Sequence, residues 1–136
     1  MVKVLVSHEV KDYKEWFDQS EYDLNSAVKM FDSEDYIYCM FFCHLSLEKY
    51  LKGLFLEIFK KEPPKIHSLI FFLENINSII PSQFRNFILD LEDAAVATRY
   101  PDSLTKLSEQ FDKESSFKIL SKTKELLKWL MTEYKK

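Results

Sequence analysis

The sequence predicts an all-α protein, and three features of its 136 residues lead to this prediction. It contains a single glycine, Gly53, and only four prolines, whereas sheet proteins need many turn-forming residues. Apolar residues make up 46% of the chain, enough to fill the core of one domain of this length. These apolar residues recur at helical spacing. We therefore predict one domain over residues 1–136, an antiparallel up-and-down four-helix bundle with an extra short helix in the crossover.

The first helix is predicted to start after Ser7, whose hydroxyl can cap it, and to end near Phe31. Its apolar residues lie on one helical stripe: Tyr13, Trp16, Phe17, Leu24, Ala27, Val28 and Phe31. The polar segment DSED, residues 32–35, interrupts this pattern and ends the helix.

The second helix is the longest predicted element, and it is expected to begin after Ser33. Glu34 and Asp35 would then occupy its first turn, where the helix dipole favours acidic side chains. We expect it to end near Lys61, because the two prolines at positions 63 and 64 lack an amide donor and restrict the residue before them.

The second half of the chain contains two short helices and two long ones. Ser68 is predicted to cap the short crossover helix, and Pro81 suits the first turn of the fourth helix. That helix is expected to end near Arg99, because a proline follows two residues later. A short helix is predicted in SLTKLSEQF, with Asp102 as its cap. The last helix spans about 113–134, and its predicted buried residues are Phe117, Leu120, Leu127, Leu130, Met131 and Tyr134.

Composition narrows the function classes. The net charge of −3 argues against a strongly basic nucleic-acid surface, although it is compatible with a local basic site. Cys39 and Cys43 are too few for a disulfide framework, which favours a reducing compartment. They lie beside His44, but a fourth ligand at matching spacing is missing, so we interpret them as packing thiols and expect no metal site. No signal peptide or membrane-spanning segment is predicted, which favours a cytoplasmic protein.

The stretch FFCHLSLEKYLKGLFLEIF, residues 41–59, contains charged side chains within an apolar helix. On a helical wheel, Glu48 lies at the centre of the apolar arc, with His44 and Lys52 within about 40° on either side. The same wheel leaves a narrow polar back, namely Ser46, Gly53 and Glu57. The apolar arc spans roughly 220°, more than one core face needs, and this predicts a homodimer.

The Glu48–Lys52 pair has two interpretations. An i,i+4 pair contributes only a few tenths of a kcal/mol, whereas a carboxylate withdrawn from water costs several kcal/mol unless it is paired and hydrogen-bonded. The pair is therefore either a structural polar contact or part of a ligand or partner site. We expect it to be buried near a cleft or dimer seam, and not to act as an acid–base couple, because no nucleophile or metal accompanies it.

Four segments in order along the chain resemble HEPN domains, which are small helical domains of higher eukaryotes and prokaryotes. SLEKYLKGLF, residues 46–55, resembles the central helix of the family. YKEWFDQSEYDLNSAVKMF is similar to the opening helix of the family. PPKIHSL is similar to its proline-rich link, and AAVATRYPD is similar to the end of one of its later helices. Together the four segments cover nearly the whole chain.

The resemblance implies a helical bundle that usually forms homodimers and binds nucleotides or RNA. Some similar domains are the substrate-binding partners of minimal nucleotidyltransferases. Another branch consists of metal-independent ribonuclease toxins, whose signature is an arginine followed, after four to six residues, by a histidine, assembled across a dimer. The corresponding positions after Arg99 are Leu104, Thr105 and Lys106, and those after Arg85 contain no histidine either. We therefore expect no catalytic residues and no cofactor.

The candidate ligand-binding residues are Glu48, Lys49, Lys52, His67, Arg99 and Tyr100. Arg99 either complements the dipole at the end of its helix or forms a phosphate fork. Tyr100 is either a packed aromatic residue or a base-stacking platform, and His67 either anchors the link or contacts ligand. The two lysines would complement Arg99 if the second and fourth helices pack side by side.

Three functions are compatible with this sequence. The first is a non-catalytic HEPN subunit that binds a nucleotide or nucleic acid and partners a minimal nucleotidyltransferase. The second is a ribonuclease toxin of a toxin–antitoxin pair with an altered active site. The third is a dimeric interaction module without a small-molecule ligand. The missing arginine–histidine motif disfavours the second.

Overall fold

The computed structural model describes residues 11–77, 79–99 and 101–134, and within them the regular elements are all α-helices. These helices are α1 (Tyr13–Asp32), α2 (Tyr36–Phe59), α3 (Leu69–Ile76), α4 (Ser82–Arg99), α5 (Leu104–Gln110) and α6 (Lys113–Tyr134). The four long helices form the bundle, α3 lies in the crossover between α2 and α4, and α5 links α4 to α6. The predicted all-α bundle with a short crossover helix is therefore confirmed.

Helix α2 is the centre of the bundle, since it contacts every other helix. Met40, Leu47 and Leu51 are fully buried in the main apolar core, which also receives side chains from α3, α4 and α6. The prediction that Ser46 and Gly53 belong to the polar back of α2 is wrong, because Ser46 is fully buried and Gly53 is buried too. This side of α2 faces α1, so α2 is covered by neighbouring helices on this side as well as on its core side.

Close approach of α1 and α2 explains the single glycine. A Cβ on Gly53 would lie 2.7 Å from Phe17 Cε1 and 3.0 Å from Trp16 Cβ, and such distances are too short for carbon atoms. Seven residues earlier on α2, Ser46 Oγ donates to the Ser20 carbonyl at 2.8 Å, and Ser20 Oγ donates to the Ser46 carbonyl at 2.7 Å. Small side chains at these positions let the two backbones approach and exchange hydrogen bonds.

The start of α2 differs from the prediction. Asp35, not Ser33, is its N-cap, and its carboxylate accepts a hydrogen bond from the Tyr38 amide at 3.4 Å. Ser33 is instead the C-cap of α1, and Glu34 has a positive φ of 64°. The chain therefore turns in the left-handed region at Glu34, which excludes it from a helical first turn. Helix α2 ends at Phe59, because Lys60 also has a left-handed conformation.

Other predicted boundaries shift by a few residues. Ser7 lies outside the described residues, and α1 begins at Tyr13 with Asp12 at the N-cap position. Pro81 immediately precedes α4, where its carbonyl accepts from the amides of Phe84 and Arg85. Ser68 caps α3 as predicted. At α5 the cap is Ser103, not Asp102, because the Ser103 hydroxyl is the one that reaches the Lys106 amide.

Two of the apolar residues predicted to be buried on α6 are exposed. Phe117 is 58% exposed and Met131 is 43% exposed, whereas Leu120, Leu127 and Leu130 are buried as predicted. The buried stripe instead includes Ser116, Thr123 and Leu126. Ser116 donates to the Tyr36 carbonyl across the bundle at 3.4 Å. Small hydroxyl residues fit where α6 lies close to its neighbours. The periodicity of apolar residues does not predict that such polar residues are buried.

The two cysteines are packing residues, as predicted. Cys39 and Cys43 are unbridged and fully buried in a small cluster with Ala27 and Leu120. A hydrogen bond between the two thiols lowers the pKa of Cys39 and raises that of Cys43. Among the helices that the structure describes, none has the length and apolar content needed to cross a membrane.

Candidate functional site

An open cavity of about 240 Å³ lies between α2, the start of α3 and the C-terminal half of α4. Four of its seven lining residues have ionisable side chains. The lining residues are His44, His67, Ser68, Glu92, Ala95, Val96 and Arg99. Two of the sequence-predicted candidates, His67 and Arg99, therefore meet at one cavity although they lie far apart along the chain.

Glu48 is linked to this cavity through the lining residue His67 and is also paired with Lys52 on α2. Glu48 is only 5% exposed and Lys52 only 7% exposed, so these two residues form the buried pair that the helical wheel predicts. Lys52 Nζ donates to Glu48 Oε2 at 3.2 Å, and His67 Nδ1 lies 3.1 Å from Glu48 Oε1. With Nδ1 protonated, His67 donates this bond and ties the proline-rich link to α2.

His44 is the second imidazole of the cavity, one turn before Glu48 on α2. Burial lowers its pKa from 6.5 to about 4; the charge of Glu48 opposes this change, and those of Arg99 and His67 reinforce it. The ring is therefore neutral near pH 7 and offers one donor and one acceptor nitrogen. No other described residue is hydrogen-bonded to the ring, so its nitrogens are available to a ligand.

Glu92 connects α4 to the start of α3. Its Oε1 accepts hydrogen bonds from the amides of Leu69 and Ile70, the latter at 3.2 Å. A carboxylate is favoured at a helix N-terminus because the amides there lack partners within the helix. The Ser68 hydroxyl accepts from a third amide, that of Phe71. These contacts fix the α3 N-terminus, and with it His67, at the cavity wall.

Arg99 ends α4 at the edge of the cavity and is exposed. It is placed where the helix dipole favours a cation. No described carboxylate lies within ion-pairing distance of its guanidinium. By contrast, Glu48 is paired with Lys52, and Glu92 is bonded to the α3 N-terminus. The charge of Arg99 is therefore the one at this cavity that no described group compensates.

The sequence-predicted residues divide into two groups. Glu48, Lys52, His67 and Arg99 surround the cavity or support its wall. Lys49 does not, because its Nζ forms an ion pair with Asp23 Oδ2 of α1 at 2.8 Å. Both lysines are paired with carboxylates in the described structure, Lys49 with Asp23 and Lys52 with Glu48. Tyr100 lies outside the described residues.

Two cavity residues were missed as candidates. His44 had a signal in the sequence, since it lies four residues before Glu48 on the same face of α2. Glu92 had none, because only the packing of α4 against α3 gives its carboxylate a partner 23 residues away. The parts of the chain described by the structure contain no group of three or more His, Cys, Asp or Glu side chains arranged to hold a metal ion.

The fold and the site define a helical domain with a small open cavity between α2, α3 and α4. The sequence profile of the HEPN domain matches residues 13–134. The chain belongs to the HEPN domain family. This result confirms the resemblance seen in the sequence over nearly the full length of the protein.

Two solved structures have the same fold. The protein TT1696 from Thermus thermophilus superposes with a TM-score of 0.74 at 17% identity, covering 88% of this chain and 96% of that chain. The archaeal HEPN homologue ST0689 superposes with a TM-score of 0.71 at 21% identity, covering 90% and 98%. No curated protein matches the chain in sequence.

Proposed function

We propose that this chain is a non-catalytic nucleotide- or nucleic-acid-binding subunit whose cavity holds a phosphate group of the ligand. The observation that carries the proposal is the exposed Arg99 guanidinium, which lacks a carboxylate partner among the described residues and borders a cavity lined by two imidazoles. A guanidinium presents donors in a planar fork that matches phosphate oxygens. Neutral His44 can donate a further hydrogen bond to the same group.

The carboxylates of the cavity do not prevent phosphate binding. Lys52 compensates the charge of Glu48 at 3.2 Å, and the α3 amides bind Glu92. Charges that are already paired contribute a weak field at a neighbouring group compared with an unpaired cation. A phosphate at Arg99 therefore meets a net favourable potential, and the affinity should fall as salt increases.

Binding of AMP and of a short single-stranded RNA to the purified protein tests this proposal. Arg99→Ala should weaken binding of both ligands about tenfold or more, since a hydrogen-bonded charge is removed. Arg85→Ala is the matched control, because Arg85 is exposed on the same helix and its ion pair is with Glu74, away from the cavity. Equal affinity of wild type and Arg99→Ala would exclude the cavity as the phosphate site.

Metal-independent RNA cleavage is the second candidate, and one observation favours it. The linear motif lacks a histidine after Arg99, yet the fold places His44 and His67 at the same cavity, where an imidazole could act as a proton acceptor. RNA should be incubated with wild type, Arg99→Ala, His67→Ala and His44→Ala in the presence of a chelator. We expect no cleavage by the wild type; cleavage that these substitutions abolish would replace the binding proposal.

The partners implied by the family belong to this proposal as well. We expect a homodimer, supported by the exposed apolar residues Leu89 and Val96, which lie seven residues apart on one face of α4. Light scattering at micromolar concentration tests the dimer. Copurification with a minimal nucleotidyltransferase tests the second partner. A dimer that binds neither nucleotide nor RNA would favour the plain interaction module.

A further inference from the structure

We propose that Arg99 joins two cavities into one bipartite nucleotide site, with the phosphate in the first cavity and the nucleobase in the second. This inference rests on the proposed function and adds the place of the base, against the wall that contains Tyr38 and Phe41. The structural basis is that Arg99 lines both cavities. One guanidinium can therefore bind phosphate while the rest of the ligand extends to the other side of its side chain.

The second cavity has a volume of about 320 Å³ and lies between the start of α2, the end of α4 and α5. Its size falls within the roughly 300–1,000 Å³ of sites that bind small molecules. The first cavity, at about 240 Å³, is below that range and suits a phosphate with its sugar better than a whole nucleotide. The residues that line the second cavity are Asp35, Ile37, Tyr38, Phe41, Thr98, Arg99, Pro101, Leu104 and Leu107.

The wall of the second cavity has the chemistry that a nucleobase requires. Most of it is apolar, and it contains two aromatic rings, the half-buried Phe41 and the 55% exposed Tyr38. Bases stack on such rings whatever their sequence, because each base has a π-face. Asp35 and Thr98 add a few polar atoms to this wall, and a base edge needs such partners when it leaves water.

Continuity with Arg99 favours a nucleotide over other occupants of an apolar groove. An apolar helix would gain nothing from a guanidinium at the rim, whereas a nucleotide carries both a stacking ring and an anion. Leu104, which is 68% exposed, would lose water contact when a base covers this wall. A second copy of the chain is the rival occupant, and the experiment below separates the two.

The test compares calorimetric titrations with AMP and with ribose 5-phosphate, which has the sugar and phosphate but no base. Wild type should bind AMP roughly fivefold to 100-fold more tightly than ribose 5-phosphate, the range expected for stacking of one base. Tyr38→Ala and Phe41→Leu should remove most of this preference and leave the affinity for ribose 5-phosphate unchanged. Tyr22→Ala is the matched control, since Tyr22 is a 73% exposed tyrosine on α1 outside both cavities.

Each outcome separates the base subsite from the phosphate site. Arg99→Ala should weaken both ligands, because both carry phosphate. Equal binding of the two ligands by wild type, or a preference that survives in both Tyr38→Ala and Phe41→Leu, would overturn the base subsite and leave the phosphate site intact. Loss of self-association in Tyr38→Ala with the AMP preference retained would assign this wall to a dimer interface. Absence of binding of both AMP and ribose 5-phosphate would overturn the base subsite, and absence of RNA binding as well would overturn the proposed function.

Discussion

Helix α2 has polar side chains on two sides, and the two sides differ in what surrounds them. Towards α1 lies a closed seam formed by Ser46 and Lys49 with Ser20 and Asp23. Towards α3 and α4 lies the cavity side, formed by His44, Glu48 and Lys52. Both sets are largely buried. The four seam residues contact one another across α1 and α2, whereas the cavity side borders an open volume of about 240 Å³.

This difference shows that buried polar side chains do not by themselves indicate a ligand site. In the seam the two serines exchange hydrogen bonds with each other's backbone. The Lys49–Asp23 contact of 2.8 Å is an ion pair, although its angles fall outside hydrogen-bond geometry. The seam thus fixes the register of α1 against α2. On the cavity side, His44 has no hydrogen-bond partner among the described residues, and Arg99 is uncompensated. Unused hydrogen-bonding capacity beside open volume is what distinguishes a candidate site.

The largest expected effect is on the cavity side. Glu48→Ala removes one partner of a buried pair and leaves the Lys52 ammonium uncompensated, which should lower the free energy of unfolding by about 3–5 kcal/mol. The double change Glu48→Leu with Lys52→Met should recover part of this loss, because no charge then remains buried. Denaturant unfolding measures both. Glu125→Ala is the control, because Glu125 is exposed and its substitution should change the free energy of unfolding little. An equally small effect of Glu48→Ala would show that the Glu48–Lys52 pair is solvated.

The second effect is a pH dependence carried by His44. Its pKa is about 4 in the folded protein against an ordinary value of 6.5, so the unfolded chain binds more protons between these values. The stability associated with neutral His44 is complete above pH 6.5 and falls as the pH decreases towards 4, by an amount on the order of 3 kcal/mol. His44→Gln should flatten the unfolding free energy between pH 7 and pH 4.5. An unchanged slope would show that the imidazole titrates normally.

A smaller effect is expected at the closed seam. Gly53→Ala inserts a Cβ at 2.7 Å from the Phe17 ring. Overpacking costs about 1–3 kcal/mol, and the gain of up to about 1 kcal/mol in helix propensity offsets only part of it. Thermal unfolding should show a net loss that becomes smaller in a Phe17→Leu background. A stabilised Gly53→Ala protein would mean that α1 readily moves away from α2.

The smallest expected effect is that of Ser46→Ala, which tests whether the closed seam of α2 contributes to ligand binding. Ser46→Ala removes one hydrogen bond of the seam and should cost about 1 kcal/mol. It should leave AMP and RNA binding unchanged, because Ser46 lies on the side of α2 away from the cavity. Titration of this variant beside Arg99→Ala measures the contrast. Weakened binding in Ser46→Ala, with the fold retained, would mean that the seam and the cavity are coupled.

Much of the fold follows from local pattern. Spacing of apolar residues predicts the four long helices, and their ends at Phe59 and Arg99 lie within about two residues of the predictions. Local rules were less accurate at the α1–α2 connection, where Ser33 and Asp35 are both acceptable caps. The left-handed backbone at Glu34 decides between them. Sequence rules rank caps by residue type, but the path of the chain into the next helix selects one.

The sequence by itself determined that Glu48 and Lys52 share one face of a central helix, because i,i+4 spacing is fixed by helical geometry. It did not determine the partners of that helix. Only the tertiary structure turned Lys49 towards Asp23, placed Glu92 at the start of α3 and brought His67 and Arg99 to one cavity. The physical reason is range: helical periodicity relates residues within a few turns, whereas the site is made by side chains from three helices and a link.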